Sequence, residues 1–142
     1  MTPLHGIPVI DGEGSGVVLR FERPISFWGG IDAATGRVTD PRHPLHGASI
    51  TGRVIVLPAT VGSSSSSYIM LELLAAGLAP AAVILPEPDA ILSLGVLVAR
   101  EMGYGTIPVT QLALSDQQTL QTGTMARVSS GGTVVVTGDT PG

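Results

Sequence analysis

The hydrophobic pattern alternates short apolar runs with small-residue punctuation. Residues 16–21 (Gly-Val-Val-Leu-Arg-Phe) predict a first strand, and residues 24–28 a second extended piece that ends at Gly29 and Gly30. Residues 53–57 (Arg-Val-Ile-Val-Leu) read as a buried strand, and the apolar stretch from Tyr68 to Ala76 as a helix with Gly77 as its C-cap. Residues 81–85 predict another buried strand, closed by Pro86-Glu87-Pro88. Asp89 then suits the N-cap of a helix over 90–102, which Gly103 ends. Residues 107–109 form a short strand, 116–120 a turn of helix, and 125–128 with 133–136 a closing hairpin about Ser129-Ser130-Gly131-Gly132. This order predicts an α/β fold, a strand-rich sandwich or barrel with two main helices. At 142 residues the chain suits a single domain over 1–142.

Between the strand at 53–57 and the first helix lies Gly62 followed by five serines, Ser63 to Ser67, and Tyr68. A flexible serine linker joins modules and has polar neighbours; this run is bracketed by a buried strand and a helix. A turn from strand into helix gathers hydroxyls and unpaired backbone N–H groups, and the helix start favours negative charge. The turn is therefore a candidate site for an anionic group such as a carboxylate. A capping or turn serine is the plainer reading of Ser63 taken alone.

Composition narrows the chemistry. Charged residues make up only 13% and apolar residues 44%, against about 25% charged in ordinary soluble domains. Such low charge predicts a surface covered by a partner subunit. The seven basic residues are all arginine, they do not cluster, and the net charge is −4. That argues against nucleic acid, which is recognised by basic stripes. No apolar run is long enough to span a bilayer, and residues 1–6 lack the pattern of a signal peptide, so a cytoplasmic location is expected. Without cysteine the chain holds no thiolate zinc site or iron–sulfur cluster by itself. His43 and His46 share a proline-bounded loop with Asp40, where a solvated loop or interface contact is the expectation rather than a metal site. Residues 32–47 form a long, ordered loop with Phe27, Trp28 and Leu45 as apolar anchors. The expected place of Trp28 is the core or an interface.

Two segments together resemble a known family. They are Ser26-Phe27-Trp28-Gly29-Gly30-Ile31-Asp32, continuing through Thr35-Gly36-Arg37-Val38-Thr39-Asp40 to His43-Pro44-Leu45-His46-Gly47, and the turn from Gly62 through Tyr68. They look like the small subunit, or swivel domain, of the aconitase X family. The resemblance implies a swivelling β/β/α domain that closes over a large subunit carrying an iron or iron–sulfur centre. It also implies a hydro-lyase acting on a small hydroxy acid. Archaeal members dehydrate phosphomevalonate, and bacterial relatives dehydrate cis-3-hydroxy-L-proline.

In the family pattern the first serine after the glycine of the turn is the proposed proton acceptor, which here is Ser63. Gly62, Ser64 and Ser67 are the candidate substrate-binding residues, with helix capping the other reading of Ser64 and Ser67. The archaeal pattern places an arginine before that glycine, where it suits a phosphorylated substrate. This chain has Val61 there, which turns the expectation toward cis-3-hydroxy-L-proline and its dehydration to pyrroline-2-carboxylate. The alternatives are a phosphomevalonate dehydratase small subunit and a non-catalytic binding or scaffolding swivel domain.

Overall fold

A computed structural model describes residues 2–61 and 65–139. In chain order the strands are β1 (Leu4–His5), β2 (Ile7–Ile10), β3 (Gly14–Arg20), β4 (Ile31–Asp32), β5 (Arg37–Val38), β6 (Val54–Val56), β7 (Ala82–Leu85), β8 (Val109–Gln111), β9 (Thr124–Val128) and β10 (Thr133–Asp139). The helices are α1 (Phe27–Gly30), α2 (Ser66–Ala76), α3 (Ala90–Glu101) and α4 (Leu114–Gln117). α1 is a single turn broken by non-helical backbone at Trp28 and Gly29. No helix among the described residues is long and apolar enough to cross a membrane.

Eight strands form one sheet in the order β1-β10-β9-β3-β6-β7-β8-β2, with β4 and β5 as a separate small hairpin. The middle, β3-β6-β7-β8, is parallel, and its crossovers are α2 and α3. The flanks pair antiparallel. β6 and β7 are buried at every position, as strands covered on both faces must be.

Their side chains alternate between two cores. Val54, Val56, Ala82 and Ile84 join Val18, Leu112, Leu120, Ala126, Val128 and Val134 in one. Ile55, Val83 and Leu85 join Leu19, Phe21 and the buried residues of α2 and α3 in the other. This two-residue period makes one strand serve two layers: the first cluster fills the curved sheet, and the second lies under the helices. On α2 the buried face is Ile69, Met70, Leu73 and Leu74. On α3 it is Leu92, Val96 and Ala99, with Gly95 at the crossing. A β-carbon on Gly95 would run into the carbonyl oxygen of Ser67, so the helices approach closely there.

The two edge strands of the sheet, β1 and β2, are separated in sequence by Gly6 alone. One extended segment therefore pairs with β10 and then with β8 and nearly closes the sheet into a barrel. Closure removes the free edges that an open sheet must otherwise protect. At the junction the Gly6 N–H donates to the Gly132 carbonyl at 2.8 Å. A β-carbon on Gly6 would lie 2.5 Å from Thr110 Cγ2 and 2.7 Å from the Gln111 carbonyl oxygen. Nearby, Asp11 ties the segment after β2 to the β9–β10 turn, accepting from Ser130 Oγ and the Gly131 N–H, each at 2.8 Å.

The sequence reading placed the central strands, both main helices and the closing hairpin. It missed β1 and β2, whose apolar content is broken by Gly6 and Pro8. It set the strand after α3 at 107–109, two residues before β8, and started the first helix at Tyr68, after the two serines that begin α2. Residues 32–47, read as loop, contain β5, and the hairpin β4–β5 spans its start.

Two outcomes follow. Gly6→Ala should destabilise the chain by about 1–3 kcal/mol through overpacking at the closure, read as a lower midpoint in urea unfolding; an unchanged midpoint would show that the junction has slack. The Gly131 N–H and, next, the Ser130 hydroxyl hold the Asp11 carboxyl below its usual 3.8. Its stabilising effect is therefore complete above that value and is lost as pH falls through the lower folded-state value. The stability gap between the native chain and Asp11→Asn should close over that acid range, and a constant gap would contradict this.

Candidate functional site at the strand-to-helix turns

Parallel β6 and β7 deliver their following turns to the same end of the sheet. The first runs from Leu57 through Pro58, Ala59, Thr60 and Val61 toward α2. It is pinned from two sides. Thr60 forms a parallel bridge with Ile25, and the Val61 N–H donates to the Ile25 carbonyl at 3.1 Å. On the other side the buried Gln117 amide donates from Nε2 to the carbonyls of Leu57 and Leu112, both at 3.2 Å. One backbone acceptor just after β6 and one just after β8 are thus met by one side chain from α4, as buried carbonyls require.

The second turn is Pro86-Glu87-Pro88-Asp89. Asp89 caps α3 as its sequence predicts: Oδ1 accepts from the N–H groups of Ile91 and Leu92, each at 3.0 Å. Its Oδ2 accepts from the Thr60 hydroxyl. One carboxylate therefore locks the two turns together. Between them opens a cleft of about 560 Å³, lined by Pro58 and Thr60 on one side, Pro86, Glu87 and Asp89 on the other, and Ile91 and Leu114 at its margins.

The Ile25 bridge brings the segment from Ser26 to Gly30 alongside the first turn. Phe27 is fully buried and anchors it, a burial worth roughly 1.5–3 kcal/mol. Gly29 adopts φ +80, a left-handed conformation that glycine takes without strain. Trp28 is 55% exposed. It is not a core residue, because its backbone falls at the break in α1 and turns the indole outward.

The loop beyond is ordered by its own polar groups. Asp32 accepts from the Ala34 N–H at 2.9 Å and the Thr35 hydroxyl at 3.1 Å. Arg37 donates to the Gly47 carbonyl at 2.9 Å. His43 is buried against Phe21, ring centroids 5.4 Å apart. Its Nδ1 accepts from the Leu45 N–H at 3.1 Å, and Nε2 lies 3.3 Å from the Arg23 carbonyl, to which it donates in that tautomer. With both ring nitrogens engaged, His43 is a packing residue of the loop, neither solvated nor placed as a metal ligand. Among the described residues no group of three His, Asp or Glu side chains gathers to hold a metal.

Gly62, Ser63 and Ser64 lie outside the described residues. Ser67 sits in the first turn of α2 and lines the groove between α2 and α3 with Tyr68, Leu71, Leu94, Gly95 and Val98. The Ser66 hydroxyl is buried, 5% exposed, and has no hydrogen-bond partner among the described residues, a state that costs about 1–3 kcal/mol. The first turn of α2 contains no acidic residue. One turn further on, a hydrogen bond and the charge of Glu72 raise the Tyr68 phenol above its usual 10.0. The sequence reading identified Asp89 only as a cap. It passed over Thr60 and Glu87 as cleft residues, although acids directly after a buried strand were the available signal.

The fold and these turns define a swivel domain. A family model described as "Aconitase X swivel domain" matches residues 3–137, and the chain belongs to that family. It is 41% identical over 104 residues to the cis-3-hydroxy-L-proline dehydratase of Pseudomonas aeruginosa, covering 73% of this chain and 18% of that protein. The corresponding figures for the enzyme of the same name from Hypocrea jecorina are 39% over 129 residues, 91% and 22%. The chain thus spans about a fifth of the length of these two relatives. The phosphomevalonate dehydratase small subunit of Methanopyrus kandleri is 37% identical over 139 residues, covering 96% of this chain and 98% of that one. The crystal structure of Thermococcus kodakaraensis aconitase X in its holo-form matches with a TM-score of 0.85 and 32% identity, over 96% of this chain and 98% of that chain.

Asp89→Ala should cost about 1–2 kcal/mol by removing the cap of α3, and it frees the Thr60 hydroxyl. Asp89→Asn keeps an acceptor for the α3 N–H groups and should recover most of that loss. Thermal unfolding of the three chains checks this, and equal losses in both variants would show that charge rather than capping matters.

Proposed function

We propose that this chain is the small subunit of an aconitase X-type hydro-lyase and that its substrate is cis-3-hydroxy-L-proline. The observation that carries the substrate is Val61. It stands 55% exposed at the entrance to the serine turn, and an uncharged, apolar side chain offers nothing to a phosphate there. Identities to hydroxyproline and phosphomevalonate dehydratases overlap, and the local chemistry at Val61 supports the first.

In this reading Ser63 accepts the proton from C2 of the substrate. The electrons of the C2–H bond form the C2–C3 double bond, the C3–O bond breaks, and the leaving hydroxide is protonated to water. The resulting enamine tautomerises to pyrroline-2-carboxylate. A serine hydroxyl is too weak an acid to supply a base unaided, so its alkoxide needs donors and positive charge in a water-poor site. The start of α2 supplies donors with no acidic residue in its first turn. The orphaned Ser66 hydroxyl beside it supports a turn whose polar groups complete their bonding with a ligand. Gly62, Ser64 and Ser67 bind the substrate's oxygens. In this reading the iron or iron–sulfur centre implied by the family resemblance is held by a large subunit, and the absence of cysteine from this chain agrees with that.

The test is steady-state dehydration by the complex co-expressed with its large subunit, offered cis-3-hydroxy-L-proline and 5-phosphomevalonate in parallel. The expected result is turnover of the hydroxyproline, falling about 10²–10⁴-fold in Ser63→Ala while the complex still assembles. A clear preference for 5-phosphomevalonate would assign the chain to the phosphomevalonate dehydratases. An assembled, metal-loaded complex inert to both substrates would leave a scaffolding role.

A further inference from the structure

We propose that the cleft between the β6–α2 and β7–α3 turns receives the cationic nitrogen of a zwitterionic substrate, with Glu87 as its counter-charge. This rests on the reading of the neighbouring serine turn as the place where the substrate's carboxylate binds.

Among the described residues, the polar side-chain atoms lining the cleft are acceptors. The Thr60 hydroxyl spends its proton on Asp89 and turns only lone pairs to other groups. Asp89 has one oxygen on the N–H groups of α3 and the other on Thr60, so it fixes the shape of the cleft while keeping its negative charge. That charge also offsets the positive end of α3, which would otherwise attract an anion. Glu87 has no hydrogen bond or ion pair among the described residues, and it is held between Pro86 and Pro88. Those prolines set the backbone of the turn and contribute no N–H donors. Among the described residues no Arg or His lines the cleft. Leu85, Ile91 and Leu114 supply the apolar wall that a ring of methylenes needs.

The two adjacent turns therefore differ in sign. The start of α2 has no acid in its first turn and favours an anion. The cleft across Thr60 favours a cation. An imino acid with its carboxylate on one side and its ring ammonium on the other satisfies both, whereas a phosphorylated hydroxy acid places further negative charge against Glu87 and Asp89. Glu87 in this account selects the substrate and takes no part in proton transfer.

The experiment uses the assembled two-subunit complex and Glu87→Gln, which keeps size and removes charge at an exposed position. The probes are L-proline and cyclopentanecarboxylate, two rings of similar shape of which only the first has a charged nitrogen. The expected result is that KM for cis-3-hydroxy-L-proline and the Kd for L-proline, measured by calorimetry, both rise about 10-fold or more. kcat and the Kd for cyclopentanecarboxylate should hold. Unchanged L-proline binding in the variant overturns the proposal, as does failure of the native complex to bind L-proline. So does equal weakening of both probes. Loss of subunit assembly in Glu87→Gln also overturns it and gives the cleft to a basic segment of the large subunit. Turnover of 5-phosphomevalonate by the native complex defeats the substrate reading, whereas normal hydroxyproline turnover with an indifferent Glu87 defeats this inference alone.

Discussion

The parallel pairing of β6 with β7 is the constraint on which the site depends. Because the two strands run in the same direction, each must end at the same edge of the sheet and each must be followed by a crossover helix. The turns into α2 and α3 are thereby forced to be neighbours. Asp89 then fastens them, accepting from Thr60 of the first turn and from two N–H groups of its own helix. The alternation of Val54, Ile55 and Val56 between two cores fixes the register of this arrangement, since a one-residue slip would turn each layer inside out. The barrel closure at Gly6 lies at the outer edges of the same sheet and spares those edges from competing pairings.

The centre of the fold was legible because its signals are local. A run such as Val54-Ile55-Val56 is unambiguous once a proline closes it, and Asp89 followed by an apolar helix states its own cap. β1 and β2 were not legible. Their stability comes from pairing with β10 and β8, at the far end of the sequence, and no local pattern encodes that. β4 and β5 are two residues each and owe their form to Asp32 binding the turn between them. His43 read as a surface loop histidine because its neighbours are polar and proline-rich, yet Phe21 and two backbone groups bury it.

Of the candidate site, the sequence marked the segment between β6 and α2 through its serine run, whose Gly62, Ser63 and Ser64 lie outside the described residues. The adjoining cleft was hidden, because Asp89 meets Thr60 only when two turns separated by α2 and β7 fold together. The exposed Trp28, next to the first turn through Ile25, extends the apolar surface at the same region.

The most direct measurement is a crystal structure of the two-subunit complex with L-proline bound as an unreactive ligand. The account predicts the proline carboxylate at the serine turn that leads into α2 and the ring nitrogen turned toward the Thr60–Glu87–Asp89 cleft. Proline held by the large subunit alone, or with its carboxylate in the cleft, would contradict it.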